Sequence, residues 1–349
     1  MISVRGYAAD RAGAPLTPYR FERREPGDKD VLIDIQYCGI CHSDIHAARG
    51  EWGEALFPMV PGHEIGGRVA RAGSRATRFK PGDLVGVGCF VDSCRTCPEC
   101  KEGREQFCHT DGGTVFTYND LEKDEKTRTY GGYSSQIVVD EGYVLKVPAG
   151  LSPEKAAPLL CAGITTYSPL RHWKVGKGHR LGVLGLGGLG HMAVKLGASL
   201  GAEVTVLSST PAKESEAKRL GAHHFVPTSD AAKVSAFTGE LDFIIDTVSA
   251  PHDLNRAVSL LRRDGTLILV GASPTPLSVA AFPLIMLRRK ISGSLIGGIR
   301  ETQEMLDHCA AHNVQADVEV IPMADVNKAY DRVVKSDVRY RFVIDMKTL

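Results

Sequence analysis

The chain lacks any imbalance of charge, with 42 Lys and Arg against 41 Asp and Glu over 349 residues. Such a surface casts no long-range field toward a phosphate backbone or an anionic bilayer, which argues against a nucleic-acid partner. A long apolar run is also missing. No stretch approaches the roughly 20 residues that a membrane helix needs, and the opening MISVRGYAADRAGAP has neither the basic flank nor the apolar segment of a secretion signal. There is no internal repeat, low-complexity tract or long linker. These absences lead to the expectation of a soluble cytoplasmic protein with no membrane partner. Its length is too great for one compact core and suggests two domains.

Cysteine is sparse except in one place. Cys94, Cys97, Cys100 and Cys108 fall within CFVDSCRTCPECKEGREQFCHT, in a chain of nine cysteines. In a reducing compartment such crowding points to a metal rather than to disulfides. The spacing C-x2-C-x2-C-x7-C supplies four soft thiolates, and a zinc ion takes four of them at about 2.3 Å in a closed tetrahedron. A site with no open position pins a lobe without polarising a substrate. Pro98 and Gly103 help the backbone turn around it, and Arg95, Lys101 and Arg104 are expected to offset the thiolate charge.

Three further residues make a second set: Cys41 in YCGICHSDIH, His63 in PMVPGHEIGGRV and Cys161 in APLLCAGITTYSPL. Two thiolates and one imidazole form the open Cys2His arrangement of a catalytic zinc, with a fourth position for an oxygen. Taken singly, His63 also reads as a loop or core histidine and Cys161 as a small buried hydrophobe. Cys38, Cys89 and Cys309 are read as packing.

Downstream, HRLGVLGLGGLGHMAVKLGASLGAEVTVLSST runs from an apolar strand through Gly185, Gly187, Gly188 and Gly190 into a helix and a second strand. In that context G-x-G-x-x-G allows a tight turn and close backbone approach to a pyrophosphate, with the helix N-terminus offering free N–H groups to the anion. Strand candidates HHFV, DFIIDTV and TLILVG then alternate with helical candidates PAKESEAKRLGA and PHDLNRAVSLLRRDG, the pattern of a doubly wound parallel sheet.

An acid is missing where an NAD-binding chain would place one. At the end of the second strand, about 24 positions after Gly185, stand Ser208, Ser209 and Thr210, followed by Lys213. Three hydroxyls and a cation suit the 2′-phosphate of NADP. The alternative is that Ser209 and Thr210 cap the helix beginning at Pro211.

The first part of the chain shows strand segments such as VLIDIQYC, many Gly and Pro turns, and no sustained helical period. It reads as mostly β over residues 1–154, with the four-cysteine lobe at 89–110. The nucleotide domain is expected over 155–293, and 294–349 return to the first domain through the amphipathic segments ETQEMLDHCAAH and ADVNKAYDRVVK and a closing strand RFVIDM.

Taken together, these features resemble the zinc-dependent medium-chain alcohol dehydrogenases, and within them the cinnamyl alcohol dehydrogenase group of NADP(H)-dependent enzymes. The resemblance covers essentially the whole chain and includes CGICHSDIH, PGHEIGGRV, the four-cysteine lobe, GGYSSQIVVDEGYVLKVP, LLCAGITTYSPL, GLGGLG and DVRYRFVIDM. It implies an α/β chain, with a GroES-like, mostly β catalytic domain and a Rossmann nucleotide domain, two zinc ions and NADP(H). It further implies a homodimer that interconverts alcohols and aldehydes by hydride transfer. By the same resemblance Cys41, His63 and Cys161 hold the catalytic zinc, with Glu64 beside them as a ligand or as a neighbour of the ligands. Asp44 orients His63, and Ser43 and His46 relay a proton. His42, Arg341 and the glycine-loop amides face the pyrophosphate. Leu189, Thr165, Val270 and Gly271 in VGASP, and Ser294 and Ile296 in GSLIGG support the nicotinamide side. Trp52 and Phe90 are expected to wall the substrate pocket, favouring aromatic or medium aliphatic substrates.

Two other enzyme readings are weaker. Zinc-independent quinone or enone reductases lack both metal sets, and an NAD-dependent polyol dehydrogenase would carry an acid near Ser209. A catalytically silent nucleotide-binding relative would have no use for the ligands and relay residues together.

Ser209→Asp is expected to shift cofactor preference from NADP toward NAD. The ratio of the two kcat/KM values measures this, and an unchanged ratio would place the phosphate pocket elsewhere.

Overall fold

Strand Asp30–Gly39 organises the first unit because its apolar residues are buried on both faces, as a central strand requires. It pairs antiparallel with Ile65–Ala72, Gln136–Asp140 and Arg341–Asp345. These lie in a sheet ordered Val318–Pro322, Arg341–Asp345, Asp30–Gly39, Ile65–Ala72, Leu84–Val87 and Leu145–Lys146, with Gln136–Asp140 joining the central strand off that path. Register fixes where the strand ends meet. Cys38 stands opposite Ile65 and Gly39 opposite Val343, so the residues after the central strand, those before Ile65 and those opening the last strand all gather at one end.

The computed structural model describes residues 1–273 and 275–349. Two compact units emerge, Met1–Ile164 with Gly297–Leu349, and Thr165–Ile296. The first extends beyond the expected edge at 154. Leu159 and Leu160 are buried, and a Cβ on Gly86 would lie 2.8 Å from the Leu160 side chain, so this turn is packed onto the first unit's sheet and carries Cys161 with it. At the other end the break falls at 296/297 rather than 293/294. The returning segments form helices Ile299–Ala311 and Val326–Val334, and RFVIDM forms strand Arg341–Asp345.

The second unit is a six-stranded parallel sheet in the order His224–Pro227, Glu203–Ser208, Arg180–Leu184, Leu241–Asp246, Leu261–Leu269, Lys290–Gly293. The strand order reverses between Arg180–Leu184 and Leu241–Asp246, the switch point where open α/β sheets bind ligands beyond their carboxyl ends. Helix Gly190–Ser199 follows the first of these strands and buries Met192, Ala193, Val194 and Leu196. Gly185 has φ 91°, and a Cβ on Gly190 would lie 2.2 Å from the Gly185 carbonyl oxygen. The loop therefore closes only with glycine at both positions. Among the described residues no helix is long and apolar enough to cross a membrane.

Candidate functional site

At the gathering end of the first unit's sheet, one donor atom from each of Cys41, His63, Glu64 and Cys161 lies within 4.8 Å of all the others, and all four residues are buried. Cys41 follows the central strand, and His63 and Glu64 precede strand Ile65–Ala72. The Cys41 and Cys161 sulfurs are 3.8 Å apart. Two sulfurs about 2.3 Å from an ion at the tetrahedral angle would stand about 3.8 Å apart, so the spacing fits zinc. A second observation agrees: the Glu64 Oε2 atom is buried with no hydrogen-bond partner. Gly39 makes room for it, since a Cβ there would lie 1.9 Å from that oxygen.

Asp44 sits in helix His42–Ala48 and is fully buried. Its carboxylate accepts from the Cys41 N–H at 2.8 Å and the Gly62 N–H at 3.1 Å, and it meets His63 Nδ1 at 3.0 Å. This bond puts the His63 proton on Nδ1 and turns Nε2 to the donor cluster. Burial pulls the His63 imidazole down, yet the Asp44 and Cys89 charges together with hydrogen bonds to Asp44 and Cys41 hold the group well above its usual value. The two thiols share a proton: the Cys161 hydrogen bond holds Cys41 well below the usual thiol range, while bonds to Cys41 and Cys89 push Cys161 well above it.

Burial pushes Glu64 up to about 8, against the pull of Arg341. The Arg341 guanidinium bonds Glu64 Oε1, with both side chains buried. Arg341, expected to face a pyrophosphate, thus bonds a buried carboxyl group within this unit.

Ser43 Oγ lies 3.6 Å from the Cys41 sulfur, and His46 Nδ1 meets Glu51 Oε2 at 2.5 Å. Exposed His42 is 5.9 Å from His46 between ring centres. Trp52 stacks on His46 at 5.0 Å and is 55% exposed. Phe90 is buried and meets Tyr143 edge-on at 6.1 Å. Its short strand Phe90–Asp92 pairs with Val115–Phe116.

The four-cysteine lobe forms the second donor cluster, from Cys94, Cys97, Cys100 and Cys108. The Cys94–Cys100 and Cys97–Cys100 sulfur separations are 3.8 and 3.5 Å. Backbone N–H groups of Cys97, Cys100 and Cys94 point at the sulfurs of Cys94, Cys97 and Cys108. Bonds from the Thr96 and Cys97 backbones hold the Cys94 thiol down at about 6. Pro98 opens the helix Pro98–Lys101, and Gly103 turns the chain with φ 76°. Arg95 and Arg104 do not offset the thiolates as expected. Arg95 pairs with Asp92 and Asp140, and Arg104 pairs with Glu99 and Glu102, because carboxylates stand nearer to them.

In the second unit the expected cofactor residues lie beyond the carboxyl ends of the parallel strands. Gly185, Gly187, Gly188, Leu189 and Gly190 follow Leu184, and Val270 and Gly271 follow Leu269, their N–H groups both on the Asp246 carbonyl at 3.0 Å. Ser294 donates to the Leu269 carbonyl at 3.1 Å, Ile296 has φ 35°, and Thr165 is buried. Pro274, the end of the VGASP segment, lies outside the described residues. Ser208 is buried and its hydroxyl accepts from the Thr210 N–H at 3.3 Å. Ser209 and Thr210 are exposed, and Thr210 stands at an N-cap position without making a capping bond. The capping alternative therefore leaves those hydroxyls unused. Lys213 Nζ reaches the Leu186 carbonyl at 2.9 Å, which joins the cation to the glycine loop.

Three residues escaped sequence reasoning: Cys89, which hydrogen-bonds Cys161, Glu51 on His46, and Tyr118, whose ring stacks on His63. Glu51 lies five positions from His46 and was open to a local pairing argument. Cys89 and Tyr118 carry no local signal.

Comparison with known proteins agrees with this geometry. The Alcohol dehydrogenase GroES-like domain matches residues 27–149 and the Zinc-binding dehydrogenase family matches residues 188–311. The chain is 54% identical to NADP-dependent alcohol dehydrogenase C 1 of Mycolicibacterium smegmatis, over 100% of this chain and 99% of that one. It is 52% identical to aldehyde reductase YahK of Escherichia coli, over 100% and 99%. Among solved structures it is similar to a cinnamyl alcohol dehydrogenase of Sorghum bicolor (TM-score 0.96, 47% identity, 99% and 98% covered). It is also similar to that of Helicobacter pylori complexed with NADP(H) (0.93, 46%, 99% and 99%).

Arg341→Met removes the cation facing Glu64 and is expected to destabilise the protein by about 3 kcal/mol, since breaking a buried pair strands its partner. Denaturant unfolding measures it, and a change under about 0.5 kcal/mol would show that the pair contributes nothing.

Proposed function

The chain belongs to the zinc-binding alcohol dehydrogenase family, and from that premise we propose that it interconverts primary alcohols and aldehydes with NADP(H), acting in the cell mainly as an aldehyde reductase. The observation that carries this reading is the convergence of Cys41, His63, Glu64 and Cys161 in one buried cluster with zinc-compatible sulfur spacing. The zinc ion would be held there by Cys41, His63 and Cys161, with Glu64 available as a further oxygen donor, and a second zinc by Cys94, Cys97, Cys100 and Cys108. When bound, the first zinc supplies Lewis acidity toward a carbonyl or hydroxyl oxygen, and NADP(H) supplies or accepts the hydride.

The protein's own residues do the rest. Asp44 fixes the His63 tautomer so that Nε2 is presented to the metal. Ser43 and His46 carry the proton between the reacting oxygen and solvent, and Glu51 on Nδ1 decides which His46 nitrogen is left for exchange. The glycine loop and the N-terminus of helix Gly190–Ser199 hold the pyrophosphate, while Ser208, Ser209, Thr210 and Lys213 take the 2′-phosphate. Aromatic aldehydes such as cinnamyl or benzyl types, or medium aliphatic ones, are the proposed substrates, with exposed Trp52 as an aromatic contact.

The second unit also supports a homodimer. Strand Lys290–Gly293 is an edge strand of its sheet, and Phe282, Ile285 and Met286 on the neighbouring helix Ala281–Leu287 are 68%, 71% and 62% exposed. An open strand edge beside an apolar helix face is covered most simply by the same surface of a second copy. Six thiols committed to two metal clusters need a reducing compartment, which supports a cytoplasmic location.

A panel of aldehydes assayed with NADPH and NADH, on protein of measured zinc content, tests the reading. Two zinc ions per chain and faster turnover with NADPH are expected. Cys161→Ala should retain one zinc, bind NADPH by fluorescence and lose turnover. Retained turnover in that variant would remove Cys161 from the reacting centre.

A further inference from the structure

A carboxylate as deeply buried as Asp44 must have every oxygen lone pair answered, because it has no water to turn to. Two backbone N–H groups and His63 answer part of that need. The remainder comes from tyrosines. Tyr133 donates its hydroxyl to Asp44 Oδ2 at 3.4 Å and is itself reached by the Tyr330 hydroxyl at 3.5 Å. The Tyr118 phenol stands beside this carboxylate, and burial together with the Asp44 charge keeps it protonated, well above its ordinary range.

Tyr118 differs from the other two in touching His63 as well. The two rings stack with centroids 5.8 Å apart and planes 27° apart. The backbone on either side is tied down: Thr117 donates from its N–H to the Cys89 carbonyl at 3.1 Å and from its hydroxyl to the Gly88 carbonyl at 2.6 Å, while Asn119 Oδ1 accepts the Leu56 N–H at 2.7 Å. Tyr118 is 9% exposed and packs with Ala47 and Met59. One side chain therefore bears on both members of the Asp44–His63 pair from a fixed backbone.

We propose that Tyr118 is a positioning residue for His63: its ring backs one face of the imidazole and its hydroxyl stands against the Asp44 carboxylate, so that together they set how firmly this site retains zinc. The proposal rests on the reading of Cys41, His63, Glu64 and Cys161 as a zinc site. The ring and the hydroxyl make separable contributions. The ring limits rotation of the imidazole out of the cluster, and the hydroxyl keeps the carboxylate aimed at Nδ1.

The test is zinc release from the full, zinc-loaded protein into an excess of a chelating dye, for wild type, Tyr118→Phe and Tyr118→Leu. The phase belonging to this site is the one missing from Cys161→Ala, and the four-cysteine lobe supplies the internal control. Tyr118→Phe should speed that phase alone by about 10-fold, the scale of losses on removing partners behind a metal ligand. Tyr118→Leu should speed it further, with NADPH binding by fluorescence unchanged in Tyr118→Phe. Release from Tyr118→Phe at the wild-type rate overturns the proposal, as does equal acceleration of both phases with a lower Tm, which marks plain core packing. A wild type with a single zinc phase overturns the zinc reading itself, and this proposal with it.

Discussion

Surplus buried negative charge is the constraint on which this protein's first unit depends. Asp44, Glu64, Cys41 and Cys161 are all withdrawn from water at one end of a sheet, and the one fixed cation among them is Arg341. Without a further cation such a group cannot be fully ionised, and the burial that pushes Glu64 up to about 8 is a direct sign of it. A divalent ion would relieve that excess. A zinc ion held there would supply Lewis acidity toward an oxygen, which the thiolate charge tempers rather than adds to.

The sheet exists to place those groups. Antiparallel pairing brings the end of Asp30–Gly39, the start of Ile65–Ala72 and the start of Arg341–Asp345 to one edge, and a single-residue change of register would scatter the donors to opposite faces. Gly39 shows how tight the packing is, for the space of its missing side chain is filled by the Glu64 carboxylate. The lobe of Cys94, Cys97, Cys100 and Cys108 solves the opposite problem. Its four ligands are local in sequence, fully committed and supported by backbone N–H groups, which suits a metal that fixes a loop rather than one that reacts.

The parallel sheet of the second unit contributes position. Its switch point, the glycine loop and the hydroxyls with Lys213 lie beyond the carboxyl ends of its strands, where open α/β sheets bind ligands. In place of the carboxylate that would meet an unphosphorylated ribose, this end of the sheet offers donors.

The amino-acid sequence by itself determined the parts whose chemistry is local: the spacing of the four-cysteine lobe, the glycine loop between strand and helix, and the hydroxyl run at Ser208–Thr210. Short-range spacing encodes those because the residues that act together are already neighbours along the chain. Only the tertiary structure decided that Arg341 closes on Glu64, that Cys89 lies against Cys161, that Phe90 packs on Tyr143, that Tyr118 stacks on His63 and that Tyr133 meets Asp44. Each of those contacts joins residues brought together by strand register or by the packing of a turn onto a sheet, and register is a property of the paired strands that neither strand carries alone.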